Sequence, residues 1–327
     1  MPMQSEMTTL LLSTFGRLVG ERHPIAQARK ALPCDAPAQQ ALWSELADGG
    51  WLDAGCRDFQ QENGAHTLLL GEITGRSLMT LPYASTAFLL MPLLEADARL
   101  LADGLVSPLR DFPASVRCSS VQQDDGWIEH FGEAAQYLHL LPVEDGAWRL
   151  ERHAPSTVAV LPGMDPTIGL GRLGQVAVTA GTLTSQVVLP VLQRHFAFEL
   201  AHLVGAAGAS LDMAIAYAKE REQFGRPIGQ FQAVKHALVD AWMGLDNARY
   251  ALRSLLSATA DGTLAPDLAG TAHRLAVSAG RRACKLAIQV HGGIGFAWEH
   301  DAHLYLKRVY HLAITTQRSL GLLQAAA

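Results

Sequence analysis

Charge is scarce in this chain. Of its 327 residues, 17% are Asp, Glu, Lys or Arg, against about 25% in an average globular protein. Apolar residues reach 49%, which excludes global disorder, since disordered chains are rich in charge and poor in apolar side chains. So apolar a chain can bury a large core and still present a subunit interface. Basic residues do not cluster and the net charge is −5, so no basic face for nucleic acid is available. Cysteine is scarce too. Cys34, Cys56, Cys118 and Cys284 stand far apart with no C-x-x-C pair, which argues against a disulfide framework and a zinc ribbon and fits a cytoplasmic protein. No run of 18 apolar residues occurs, so no membrane span is expected. The nearest thing to a targeting segment is Thr8 to Phe15, but Glu6 stands where a basic start belongs and no A-x-A cleavage site follows. An amphipathic first helix is expected there.

What is present falls into three zones. Residues 1–107 read as helices punctuated by Gly49-Gly50, Gly75-Arg76 and Gly104, as helix ends are. Residues 108–186 carry short apolar runs such as Tyr137 to Leu141 and Gln175 to Thr179, with a turn signal at Glu144-Asp145-Gly146. These predict a small antiparallel sheet. In residues 187–327, three apolar series begin at Leu200, Val234 and Leu268 and keep the i, i+3, i+4, i+7 spacing of one helix face. A fourth helix is expected from about Ala302 to Leu323, and together they predict a four-helix bundle. The fold class expected is mainly α with a small β domain.

Two patterns are decoys. Gly169 to Gly174 matches G-x-G-x-x-G, but Gln175-Val176-Ala177-Val178 after it is strand-like. A dinucleotide fingerprint needs a helix there, so a loop between strands is expected. Glu299-His300-Asp301-Ala302-His303 lacks both the H-E-x-x-H order and a third ligand, so no metal is expected. A solvated helix start, with Glu299 and Asp301 favouring the positive helix end, is expected instead.

Two segments can carry chemistry. Around Arg221-Glu222-Gln223-Phe224-Gly225-Arg226-Pro227-Ile228-Gly229-Gln230-Phe231-Gln232, a long helix is expected to end near Phe224-Gly225 and the next to start near Phe231. Arg221 then stands near a helix end, where a guanidinium can fork onto phosphate. A capped helical hairpin with a solvated arginine gives the same pattern. Gln289-Val290-His291-Gly292-Gly293-Ile294-Gly295 runs a helix into glycines. Such a loop lets a ligand approach the backbone or simply caps the helix.

Together the two segments resemble the signatures of the acyl-CoA dehydrogenase family, over about 200–318 and more weakly over about 40–110 and 135–175. The resemblance implies an N-terminal helical domain, a central β domain, a C-terminal four-helix bundle, and FAD lying across a subunit interface. It assigns Arg221 to the pyrophosphate, Gln223, Phe224 and Gln232 to the adenine half, and Gln289, Gly292 and Gly293 to the same stretch. Between Arg110 and Ala134 the family's flavin-ring strands find no match, so the β domain is expected to be truncated. The family's usual base is a Glu in a Y-E-G-T string, where this chain has Tyr310-His311-Leu312-Ala313. The alternative base position, 26 residues before Arg221, is His195. Glu199 lies one helical turn beyond it, and the arginine that many members carry next to that position is Phe196 here. His311, His195 and Glu199 are therefore the candidates for proton abstraction alpha to the thioester.

The resemblance implies an FAD-dependent dehydrogenase of acyl-CoA thioesters, and three readings follow. The chain completes the FAD site of a full-length subunit in a heteromer, as paired subunits of the family do for steroid-derived thioesters. Or it is a self-sufficient homo-oligomer with an atypical base. Or it is a redox-inactive protein binding acyl-CoA or another protein. The family's usual electron acceptor is electron-transfer flavoprotein.

Overall fold

A computed structural model describes residues 6–30, 36–56, 65–97, 100, 113–118, 126–130, 134, 136–155, 163–260 and 263–326. The N-terminal helices are α1 (Glu6–Arg22), α2 (Ile25–Lys30), α3 (Ala36–Asp48), α4 (Ala65–Arg76) and α5 (Tyr83–Ala96), the last with a π-helical turn at Thr86–Leu90. Five strands follow: β1 (Ala114–Cys118), β2 (Trp127–Glu129), β3 (Gln136–Pro142), β4 (Ala147–Pro155) and β5 (Leu170–Thr184). The bundle is α6 (Ser185–Glu220), α7 (Gln232–Ala260), α8 (Pro266–His291) and α9 (Ala302–Ala325).

The architecture is the mainly helical one that the residue patterns predict, with a small sheet between helical parts. α6 is the central pillar. Its small residues let neighbours approach closely. A Cβ on Gly75 of α4 would sit 2.0 Å from the His202 carbonyl, and one on Gly205 would sit 2.2 Å from the Glu72 carbonyl. Only glycine permits those backbone contacts. The close approach also brings Glu72 to Arg249 of α7, whose guanidinium forks onto it at 2.9 Å from both Nε and Nη2. α6 is long, and one window of it has a mean hydropathy of 1.3, yet 72% of that window is buried inside the protein. Its apolarity is that of a core helix.

Several local expectations change. The sheet order is β1-β3-β4-β5-β2, and β1 pairs with β3 in parallel rather than antiparallel. β2 intervenes between them in sequence and pairs with β5 instead. The glycine-rich 169–174 stretch is no loop: Gly171 pairs with Ile128 as β5 begins. α6 ends at Glu220, four residues before the expected stop. Glu222–Gln223 and Arg226–Pro227 form a two-stranded hairpin, β6 and β7, turning at Phe224 (φ 52°) and Gly225 (φ 78°). The helix start at Asp301 is not simply solvated, because Arg29 of α2 donates from Nε to Asp301 Oδ1 at 3.1 Å. The expected Gly104 helix end and much of the Arg110 to Ala134 stretch lie outside the described residues.

Candidate functional site

His195 and Glu199 sit one turn apart on α6, both buried, with His195 Nε2 and Glu199 Oε1 3.9 Å apart. They line a cavity of about 50 Å³ between α6, the sheet and α9, together with Glu129, Cys118, Thr315 and Arg318. A second void of about 30 Å³ lies beyond Glu129 and Glu199, toward Met79, Tyr83 and Arg308. Neither approaches the roughly 300–1,000 Å³ of a ligand pocket.

Burial governs the charges here. It lowers His195 to about 4, against a smaller opposing pull from Glu129. It pushes Glu199 well above the usual carboxylate range, helped by the negative charge of Glu129. Burial thus favours the uncharged form of both groups. Both His195 ring nitrogens are buried without a hydrogen-bond partner among the described residues.

His311, on α9, which the resemblance sets at the family's usual base position, contacts Glu129 Oε1 through Nε2. Burial would discharge His311, but its attraction to Glu129 and the hydrogen bond outweigh that and raise it above 6.5. Burial likewise opposes ionisation of Glu129, yet His311 brings it down to about 2. His311 thus holds its proton more tightly than a free imidazole does, and in that protonated form it cannot accept another. Phe196 is wholly buried, and Arg194 Nη1 donates to the Gly55 carbonyl at 2.6 Å, so neither faces this cavity as an anion site.

Arg308 is the hub beside the pair. It is 1% exposed. Its Nε contacts Asp165 Oδ2, Nη2 donates to Thr167 Oγ1 at 2.6 Å, and Nη1 donates to the Met79 carbonyl at 3.0 Å. Burial alone would raise Asp165, but Arg308 and His311 hold its carboxyl below the usual range. Arg308 Nη1 also meets His202 Nε2 at 2.9 Å. Since arginine only donates, Nε2 accepts and His202 Nδ1–H donates to Thr74 Oγ1 at 3.2 Å. Asp165, His202 and Glu129 carried no signal in the sequence. Arg308 stood in the string that held His311, but nothing in its spacing marked it as buried.

The signature residues form a different, exposed face. Arg221, Gln223, Phe224, Gln232, Gln289, Gly292 and Gly293 are all exposed. The two stretches meet at one end of the bundle, where the Tyr217 and His291 rings lie 4.6 Å apart. Phe224 is 92% exposed, and its ring meets Phe231 edge-on at 6.1 Å. Holding a phenylalanine at positive φ costs about 1 kcal/mol or more, and such strain gathers at ligand sites. No atom lies within 4 Å of a Cβ built on Gly292 or Gly293. An exposed guanidinium, a projecting aromatic ring and open glycine backbone fit the diphosphate and base of a dinucleotide.

Residues 194–316 match the family described as acyl-CoA dehydrogenase, C-terminal domain. Acyl-CoA dehydrogenase IpdE2 of Mycolicibacterium smegmatis is 29% identical over 313 residues, 94% of this chain and 93% of that protein. Residues 194–316 thus carry the C-terminal domain of the acyl-CoA dehydrogenase family, and the chain is similar to that family over nearly its whole length. Acyl-CoA dehydrogenase FadE34 of Mycobacterium tuberculosis is 41% identical over 185 residues, 55% of this chain; that match spans 26% of FadE34. Among solved structures, the ChsE4-ChsE5 complex from Mycobacterium tuberculosis superposes with a TM-score of 0.80 at 21% identity, covering 98% of this chain and 96% of that one. The Tcur3481-Tcur3483 steroid ACAD gives 0.79 at 23% identity, covering 98% of each chain. At these identities the structural likeness establishes the acyl-CoA dehydrogenase fold.

Proposed function

We propose that this chain is a cytoplasmic subunit of a heteromeric acyl-CoA dehydrogenase, completing the FAD site of a full-length partner. The observation that carries the reading is a contrast between two places. The signature face is open and strained toward a ligand, while the interior that should hold acyl group and base is filled by the Glu129–His311 pair and leaves about 50 Å³. FAD, when bound, would accept the hydride from the beta carbon of the thioester. This chain's part is to bind and orient. Arg221 would neutralise the diphosphate, Phe224 would lie against the adenine, and Gln223, Gln232, Gln289 and the Gly292-Gly293 backbone would hydrogen-bond around them.

The neighbours ChsE4-ChsE5 and Tcur3481-Tcur3483 are paired proteins, and the second is described as a steroid ACAD. Their likeness supports a bulky, steroid-derived CoA thioester as substrate, oxidised with electron-transfer flavoprotein as acceptor. The test is the visible spectrum of the chain expressed alone and with a full-length family member. The expected result is a colourless chain alone and a yellow, active complex together. Stoichiometric flavin in the isolated chain overturns the proposal.

One observation favours the self-sufficient reading. Glu199 faces the cavity beside His195, whose ring nitrogens have no hydrogen-bond partner among the described residues, and a carboxyl whose proton affinity is raised is the stronger base once it is ionised. That reading requires activity in the isolated chain, lost on Glu199→Gln.

A further inference from the structure

A cluster on the sheet has no part in the proposed flavin chemistry. β3 and β4 pair with His139 opposite Glu151. His153 follows two residues later, on the same face. One ligand atom from each of His139, Glu151 and His153 lies within 4.8 Å of the other two. His139 and Glu151 are buried, and the His153 side chain is 8% exposed.

A ligand atom of His153 and one of Glu151 face each other. His153 Nδ1 lies 2.9 Å from the Gly174 carbonyl. A carbonyl only accepts, so Nδ1 carries a proton, and in the neutral imidazole Nε2 then keeps its lone pair. That Nε2 is buried with no hydrogen-bond partner among the described residues, and it stands 3.5 Å from Glu151 Oε2. A lone pair facing a carboxylate oxygen repels it unless a cation lies between. The spacing is close to the edge of a tetrahedron whose ligands sit about 2.0–2.1 Å from a zinc ion. Arg149 Nε lies 2.7 Å from the other oxygen, Glu151 Oε1, an ion-pair contact without hydrogen-bond geometry that leaves Oε2 on the side of the cluster. Gly174 and Arg149 thus do what outer-shell groups do at metal sites: they set the tautomer and the ligand orientation.

We propose that His139, Glu151 and His153 bind a divalent transition-metal ion of the zinc class, with water as the fourth ligand. Two imidazoles and one carboxylate without thiolate suit zinc over calcium or magnesium, which prefer all-oxygen cages. The ion would tie β3 to β4 through their side chains and brace the sheet. Arg149, and Arg117 in register with His139 on β1, add nearby positive charge that weakens the site relative to an acidic cage.

The test is calorimetric titration of the chelator-treated full chain with Zn²⁺, repeated with Co²⁺ to read tetrahedral coordination in the visible. One ion per chain and a raised Tm are expected. His153→Gln and Glu151→Gln, each checked for fold by circular dichroism, should abolish uptake, and His303→Gln should retain it. Absorption at the zinc K-edge of the unaltered chain needs no variant and should show two imidazoles and no sulfur. No uptake by the folded chain, unchanged uptake in the folded His153→Gln and Glu151→Gln variants, or a different ligand set overturns the proposal.

Discussion

Glu129 of β2 and His311 of α9, 182 residues apart in sequence, form a partly buried ion pair at the position to which the family resemblance assigns the catalytic glutamate. The pair converts a position for proton abstraction into a structural link between sheet and bundle. Removing one partner leaves the other charge desolvated and alone. His311→Ala should cost roughly 3 kcal/mol, toward the low end for a broken buried pair because Glu129 retains some exposure. Urea unfolding measures it. Glu129→Gln with His311→Gln should recover part of the loss, since neither charge is then stranded.

The same groups set the pH response. His23, His130 and His195 are each held down to about 4 by burial, against 6.5 when unfolded. The unfolded chain therefore binds protons first, and stability falls as pH drops from 6.5 toward 4, by on the order of 3 kcal/mol for each histidine. Glu129 is held down to about 2, so its contribution is intact above pH 4.5 and lost between 4.5 and 2. His311 runs the other way: raised by Glu129, it stabilises fully below 6.5 and loses that contribution as pH rises through its higher folded value. A series of melting curves from pH 4 to pH 9 should show maximal stability near neutrality. A flat profile below pH 6.5 would contradict the neutral buried histidines.

The exposed face makes two opposite predictions at one residue. Phe224→Gly relieves the positive φ and should raise the stability of the isolated chain by about 1 kcal/mol. It should also weaken flavin retention by the heteromer, because the projecting ring is gone. Arg221→Ala should leave stability unchanged and weaken FAD binding roughly 10- to 100-fold, the worth of a charge-assisted hydrogen bond of about 1.5–3 kcal/mol. Thermal melts and flavin content on dialysis separate the two effects.

How much of this was legible in sequence follows the range of each interaction. The bundle helices showed because apolar spacing within a helix is local, and the series beginning at Leu200, Val234 and Leu268 each belong to a helix of the bundle. The signature face showed because its residues lie in two short strings. The hairpin at Phe224 was missed because phenylalanine at positive φ is a cost that no propensity predicts. The ion pair was missed because Glu129 and His311 meet only through the tertiary fold. Arg308 was missed for the same reason, since its partners Asp165, Thr167 and Met79 lie 141 or more residues away.

Glu199 supplies the decisive comparison between the two readings of the site. Its carboxyl is pushed well up by burial and by Glu129, both of which favour the protonated form. Replacing a protonated carboxyl by an amide changes neither charge nor volume, and Glu199→Gln should unfold within about 0.5 kcal/mol of the parent chain, as substitutions that disturb no packing or charge do. In the heteromer it should leave kcat unchanged, because the partner holds the base. If this chain abstracts the proton itself, the same substitution should lower kcat by the roughly 10²- to 10⁴-fold of a lost general base. Stability and kcat measured on one variant therefore distinguish a supporting subunit from an autonomous enzyme, and the stability measurement guards against reading a folding defect as lost catalysis.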